Sequence, residues 1–308
     1  MKKKKIGILG IILIILVSIF ETYNINLETL YNYFINDNPT IEEIDNDIPT
    51  SKVLNSDLKV YYLDVGQADC ILIQNENDNM LIDAGNNEDG SKLVNYLKSL
   101  GITNFKYVVG THPHEDHIGG LDNIIKEFNV EKVLLPDAYT TTATFEDVLI
   151  ALEDKNLNFE VPNIGKTLSL GEARIEIIHT ESNPEDLNDS SIVLRLDYGE
   201  NSFLFSGDAT STIEKKILNK NIAVDIYKVA HHGSSYSNSE SFLNKVNPSI
   251  GIISAGKNNS YNHPHLEVVK RLEERNIKLY RTDKLGTILV TSDGKNYDIT
   301  SFKTDTNG

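Results

Sequence analysis

From Leu58 onward the apolar residues come in short alternating runs, broken by Gly, Asn and Asp. Such runs predict strands at 58–64, 69–75 and 79–83, the last two joined by an Asn-rich turn at 75–79. Leu93, Tyr96, Leu97 and Leu100 then recur at spacings of three and four and stop at Gly101, as expected for a helix with a glycine C-cap. A strand at 105–110 follows, and a helix over about 119–128. The second half repeats the theme. Strands are predicted at 166–169, 173–179, 191–198, 202–206 and 225–230, with a helix at 210–219. Beyond these come a strand at 249–253, a helix at 265–275 and strands at 278–281, 286–291 and 297–302. Two halves, each made of strands and then helices, suggest an α/β architecture of two sheets packed face to face with helices outside. No short repeat or low-complexity segment interrupts it.

The pattern changes before residue 57. Lys2 to Lys5 precede fifteen uncharged residues, Ile6 to Phe20, ending at Glu21. At about 1.5 Å per residue this run spans roughly 22 Å, short of a bilayer core of about 30 Å. Snorkelling lysines and Thr22-Tyr23 extend it, and no small-x-small cleavage pattern lies between Val17 and Asn26. The expectation is an uncleaved anchor at 1–20, with a cleaved signal peptide as the alternative. Residues 21–56 carry seven acidic residues with Pro39 and Pro49 and read as a stalk and linker, 57–303 as the main folded domain and 304–308 as a tail. Lysines on one side of the anchor favour a single-pass membrane protein with its main domain outside the cell; the signal-peptide alternative makes the protein secreted. The single cysteine, Cys70, allows no intrachain disulfide and reads as a buried small hydrophobe.

The chain has a net charge of −16. Residues 1–56 hold five Lys and seven Asp or Glu, so the remainder keeps 24 basic and 38 acidic residues, a net −14. That balance repels polyanions and opposes a nucleic-acid substrate. It does not exclude a single phosphodiester held by metals or by a local basic patch.

The candidate chemistry is densest at 111–120, Thr-His-Pro-His-Glu-Asp-His-Ile-Gly-Gly, where His112, His114, Asp116 and His117 fall within one loop at a predicted strand end. Imidazoles and a carboxylate in this density suit zinc, manganese or iron. Asp208 follows the apolar strand Phe203-Leu204-Phe205 and a Ser206-Gly207 turn, which suits a carboxylate bridging two ions; helix capping is its other reading. His231 and His232 emerge from another strand. Adjacent strand residues face opposite ways, so the two are expected to play different roles.

The loop resembles the His-x-His-x-Asp-His signature of the metallo-β-lactamase hydrolase superfamily. Leu63 to Asp69, Leu81 to Gly85, Ser206-Gly207-Asp208 and Lys228 to Ser234 are similar to the hydrolase domain of ComEC competence proteins, in the same order, over about 58–302. The resemblance implies an αββα four-layer sandwich. It implies two divalent ions, zinc or manganese, held by His112, His114, Asp116, His117, Asp208 and His232. Asp116, His232 and His263 become catalytic candidates, and metal-bound hydroxide the nucleophile. His231, Gln67 and Arg281 become substrate-binding candidates, Arg281 having an ion pair with an acid as its other reading. Asp64, Asp69 and Asp83 support the site or cap turns. Where many members have a further histidine, this chain offers His179, which also reads as an ordinary strand-end residue. The stretch Asn188-Asp189-Ser190-Ser191 occupies that place in the ComEC pattern, so Asp189 is the candidate for the remaining ligand position.

The expected function is a metal-dependent extracytoplasmic hydrolase, a phosphodiesterase or nuclease. ComEC proteins carry many membrane spans and this chain one candidate span, so it is not expected to be the transporter. A cell-envelope phosphodiesterase similar to teichoic-acid phosphocholine esterases is the alternative enzyme. A membrane-anchored binding protein without catalysis is the alternative of another class. No protein partner is inferred.

Overall fold

The computed structural model describes residues 58–303; the anchor, stalk and tail expected at 1–56 and 304–308 lie outside the described residues. No helix among the described residues is long and apolar enough to cross a membrane. The chain opens with β1 (Leu58–Tyr62), β2 (Ile71–Asn75) and β3 (Asp78–Ile82), an antiparallel meander. There follow α1 (Gly90–Ser99), β4 (Asn104–Val109), α2 (Glu115–Ile118), α3 (Leu121–Glu127), β5 (Asn129–Leu134), α4 (Ala143–Asp154) and β6 (Phe159–Glu160), the strands now parallel.

The second half runs β7 (Thr167–Leu170), β8 (Ala173–His179), β9 (Val193–Tyr198), β10 (Asn201–Phe205), α5 (Ser211–Ile217) and β11 (Ile226–Lys228). It continues with α6 (Glu240–Val246), β12 (Ile250–Ile253), α7 (Leu266–Glu273), β13 (Lys278–Arg281), α8 (Thr282–Leu285), β14 (Thr287–Ser292) and β15 (Tyr297–Phe302). One sheet has the order β15-β14-β1-β2-β3-β4-β5-β6, the other β13-β12-β11-β10-β9-β8-β7. The final two strands therefore return to the first sheet, which the two-halves pattern did not indicate.

Alternation along the strands sorts the apolar side chains into three cores. Val60, Ile73, Met80 and Ile82 meet Ile177, Leu194, Phe203 and Phe205 between the sheets. Alternate side chains of the first sheet, such as Leu72, Leu81 and Val108, point the other way and pack against Leu97, Leu121, Ile124 and Phe145 of α1, α3 and α4. Leu204, Tyr227 and Val229 do the same against Ile213, Phe242 and Leu272 of α5, α6 and α7. Each fully buried Leu, Ile, Val, Met or Phe contributes roughly 1.5–3 kcal/mol of transfer free energy, so these faces, rather than helix propensity, hold the short helices in place.

The expected helix at 119–128 is α3, which begins only at Leu121, after the separate single turn of α2. A Cβ on Gly119 would lie 2.3 Å from the backbone carbon of Asn86, so the chain passes too close to the segment after β3 for any side chain there. α2, β5, α4, β6, α6 and α8 were not anticipated. The chemistry-bearing segments leave the same ends of the strands: 64–69 after β1, 83–89 after β3, 111–117 after β4, 206–210 after β10, 229–234 after β11 and 254–263 after β12.

Candidate metal centre

Asp83, immediately after β3, is buried and adopts positive φ (60°). Its Oδ1 accepts from Thr111 N (2.7 Å), and its Oδ2 accepts from Thr111 Oγ1 (2.8 Å) and contacts His117 Nδ1 (2.8 Å). One carboxylate thus pins the start of the histidine loop and turns the His117 ring, leaving Nε2 to face Asp208 Oδ1 at 3.3 Å and Asp116 Oδ2 at 3.8 Å. His112 is fully buried, with Nδ1 3.2 Å from Thr111 Oγ1 and 3.4 Å from Ser191 Oγ; its Nε2 lies 3.0 Å from His114 Nδ1.

Asp208 enters from the second sheet. Gly207 before it has φ 50° and would press a Cβ to 3.0 Å from Thr111 and Ser191, so the turn demands glycine. Asp208 Oδ2 is 3.5 Å from His231 Nε2 and 3.6 Å from His232 Nε2. His232 Nδ1 is 3.0 Å from the Ser254 carbonyl oxygen, and its Nε2 is 3.3 Å from Asp116 Oδ2.

Both His231 and His232 adopt left-handed backbone (φ 53° and 52°) in a 3₁₀ turn at Ala230–Gly233, beyond the end of β11. Strand alternation therefore does not separate them, and both imidazoles approach the same carboxylate. The expectation of opposite directions fails because the strand stops two residues earlier.

Asp116, His117, Asp208 and His232 each offer a ligand atom, all within 4.8 Å of one another. His117 Nε2, His232 Nε2 and Asp208 Oδ1 are shut off from solvent and have no hydrogen-bond partner among the described residues. Buried polar atoms left in this state are rare, and a cation would satisfy all three together. The residues fit a divalent metal centre. Their electrostatics agree: burial opposes charge on His117 and His232, yet Asp208 with Asp83 raises the former, and Asp208 with Asp69 raises the latter to about 10. The carboxylates thus hold protons on these rings where cations would otherwise sit.

The centre forms the floor of an open cleft of about 1130 Å³, lined by His114, Asp116, Asp208, His231, His232 and His263 among others. His263 stacks over His232 (ring centroids 6.1 Å, 21° between planes) and under Tyr261 (5.6 Å, 22°). Gln67 also lines the cleft; its Oε1 accepts from Gly256 N (3.0 Å), which turns its amide nitrogen toward His263 Nδ1 at 3.4 Å. His263 is pushed down to about 4 by burial and by His232 and His231, so it is neutral near pH 7; donation from the Gln67 amide to Nδ1 would put its proton on Nε2.

Other expected residues lie elsewhere. Arg281 does not line the cleft: its Nε and Nη2 pair with the two oxygens of Asp283 at 2.9 and 2.6 Å, the structural alternative the sequence offered. Asp189 is also absent from the lining; its Oδ1 accepts from Thr210 Oγ1 (2.5 Å). His179 ends β8 with Nε2 3.4 Å from Glu181 Oε2, away from the cleft. Asp64 lines the cleft and accepts at Oδ1 from Gly66 N (3.4 Å). Sequence reasoning gave no role to Lys228, whose buried ammonium meets Asp69, and passed over Lys92 and Lys257 on the cleft wall. A lysine within an otherwise apolar strand was the available signal for the first.

The sequence profile of the Metallo-beta-lactamase superfamily matches residues 63–257. ComE operon protein 3 of Bacillus subtilis (strain 168) is 31% identical over 256 residues, covering 76% of this chain and 33% of that protein. Recombination protein 2 of Haemophilus influenzae is 28% identical over 236 residues, covering 74% of this chain and 28% of that protein. The chain therefore spans about a third of the length of these curated relatives. Among solved structures, CmlA, a diiron β-hydroxylase from Streptomyces venezuelae, superposes with a TM-score of 0.53 at 17% identity, over 78% of this chain and 55% of that one, a likeness of fold. With two sheets in the expected arrangement, a cluster of imidazoles and carboxylates at their shared strand ends and a family profile over most of the described residues, the chain belongs to the metallo-beta-lactamase superfamily of metal-dependent hydrolases.

Proposed function

We propose that this protein is a metal-dependent phosphodiesterase, anchored in the membrane by residues 1–20 with its catalytic domain outside the cell. The observation that carries the reaction class is the convergence of Asp116, His117, Asp208 and His232, with orphaned buried ligand atoms, beneath an open polar cleft. Two divalent cations, zinc or manganese, would supply charge neutralisation at phosphoryl oxygens and a lowered pKa for the attacking water. His112 and His114 would hold one, Asp116, His117 and His232 the other, with Asp208 between them.

The chain's own residues then divide the work. Asp83 and the Ser254 carbonyl fix the rings of His117 and His232 so that each Nε2 faces the centre. Asp116 is the partly exposed member of the cluster, its side chain 30% accessible, which suits it to receive a proton from the attacking water. His263, neutral and protonated at Nε2, would donate to a phosphoryl or leaving-group oxygen, and His231 would contact the same group from the other side. The lining supplies no serine or cysteine in partnership with a histidine, so no covalent intermediate is invoked.

The names of the relatives, competence and recombination proteins, support DNA as the source of the phosphodiester. A second observation favours a cell-envelope substrate carrying a cation, such as a phosphocholine ester. The cleft wall carries Asp64, Glu88, Asp89 and Glu115 beside Tyr261, which is 63% exposed, and acids with an aromatic face attract a quaternary ammonium.

The test is turnover by the purified full chain, in detergent, with manganese or zinc. The substrates are bis(p-nitrophenyl) phosphate, single- and double-stranded DNA, and choline-bearing envelope phosphodiesters. Metal-dependent cleavage of at least one substrate supports the reaction class. No cleavage of any, with ions shown to be bound, would leave a binding protein on a hydrolase fold. Placement is tested separately: protease added to intact protoplasts should digest the domain, whereas protection until lysis would reverse the orientation.

A further inference from the structure

The two-ion reading leaves the first cation with two imidazoles and a shared carboxylate, and the sequence nominated Asp189 to complete it. The structure occupies Asp189 otherwise, through Thr210. Its neighbour Asn188, in the 3₁₀ turn Leu187–Ser190, lines the cleft with His114 and Asp208. Asn188 Oδ1 is shut off from solvent and has no hydrogen-bond partner among the described residues. An amide oxygen left in that state carries an uncompensated desolvation penalty, which a bound cation would remove.

The turn presenting it is fastened on every side. Asn188 N donates to Asp186 Oδ1 (3.0 Å), and its carbonyl oxygen accepts from Ser191 N (3.1 Å). Ser191 Oγ accepts from Asp208 N (3.1 Å) and lies 3.4 Å from His112 Nδ1, so the same turn touches two residues assigned to the ions.

We propose that Asn188 Oδ1 ligates the first cation alongside His112, His114 and Asp208, and that Asp189 is a positioning residue holding the turn through Thr210. This assignment rests on the two-ion reading and deepens it. A neutral, hard oxygen in place of an imidazole shifts preference toward manganese relative to an all-nitrogen shell and weakens the site. It also preserves charge. Two divalent ions carry four positive charges and Asp116 with Asp208 removes two, so the centre stays at +2, attractive to a phosphodiester anion in an otherwise acidic chain. A carboxylate ligand from Asp189 would halve that.

The experiment is metal binding, with no turnover readout. Full chain stripped by chelator is titrated with Mn²⁺ and separately with Zn²⁺ by calorimetry, and the bound metal is counted by elemental analysis after gel filtration. Thermal melting of the metal-free variants checks folding. Wild type should bind two ions of unequal affinity. Asn188→Ala should lose about tenfold or more in affinity for one ion and keep the other. Asn188→Asp, nearly isosteric, should bind the weaker ion more tightly than wild type and decides the matter if the alanine variant does not fold. Asp189→Asn should bind both ions as wild type does. Two ions bound with unchanged affinity in both Asn188 variants, or loss of an ion in Asp189→Asn, would overturn the assignment alone. A wild-type chain binding no ion would overturn the two-ion reading itself.

Discussion

Lys228 Nζ lies 2.7 Å from Asp69 Oδ2, and neither side chain reaches solvent. The lysine comes from β11 of the second sheet and the aspartate from the loop after β1 in the first, so the pair ties the sheets together beneath the cleft. The other oxygen of Asp69 is 3.3 Å from His232 Nδ1. Burial pushes the Asp69 carboxyl up, but Lys228 and His232 outweigh it and hold the group ionised. Lys228→Met would strand that carboxylate. The expected loss is about 3–5 kcal/mol in urea unfolding of metal-free protein, mostly regained in the double variant with Asp69→Leu. Equal stability of Lys228→Met and wild type would show that the pair adds nothing.

In the two-ion reading Asp208 is the carboxylate shared by both ions, and Asp208→Ala removes it. Elemental analysis should find both ions lost from a folded chain. Asp83→Asn keeps the shape but weakens its hold on His117, and should lower affinity for one ion by about 10–100-fold while leaving the other. Full metal content in Asp208→Ala would refute the bridging role.

DNA binding, if it occurs, should depend only shallowly on salt. Productive tracking along DNA needs several Lys or Arg contacts, each adding about 0.9 to the slope of log affinity against log salt, whereas the cleft wall supplies Lys92 and Lys257. The expected slope is no steeper than about −2, with His114→Ala abolishing cleavage of a small phosphodiester. A slope several times steeper would reveal a basic groove elsewhere.

Glu214 on α5 is 1% exposed and accepts from the backbone N–H groups of Asn238 and Ser239. Burial raises its pKa; the bonds from Ser239 and Asn238 and the charge of Arg271 only partly offset this. The fold therefore retains a proton that the unfolded chain has released. Stability from this group is complete below the unfolded value, about 4.3, and declines as pH rises through the raised folded value. Urea unfolding from pH 4 to 7 should show the gap between wild type and Glu214→Gln shrinking with rising pH. A gap independent of pH would contradict the raised value.

The histidine loop was legible because its ligands lie within six residues and its entry strand ends in the apolar run Tyr107-Val108-Val109. Strand positions were legible wherever alternation was clear, as in Ala173–His179. What stayed hidden depends on distant partners. The pattern Asn-Val-Glu-Lys-Val-Leu of β5 shows its alternation weakly because Glu131 and Lys132 are adjacent and both exposed. Asp189 looked the better ligand because carboxylates bind cations tightly, and nothing local announces that Thr210, twenty-one residues on, engages it. The paired roles of His231 and His232 depend on where β11 ends, a boundary that propensity places only to within a few residues.

The return of β14 to the first sheet sets an order of assembly. β1 pairs with β2 on one side, Tyr62 against Ile71, and with β14 on the other, Tyr62 against Ile288. During synthesis the first hairpin and the histidine loop leave the ribosome long before β14 exists. Until then β1 is an open edge of alternating Leu, Val and Tyr, the kind of edge that recruits other strands. Closing it joins residues far apart in sequence, a slow event by topology. The interval between translating the histidine cluster and capping β1 is therefore when this chain is most exposed to aggregation, and a truncation before Thr287 would make that interval permanent.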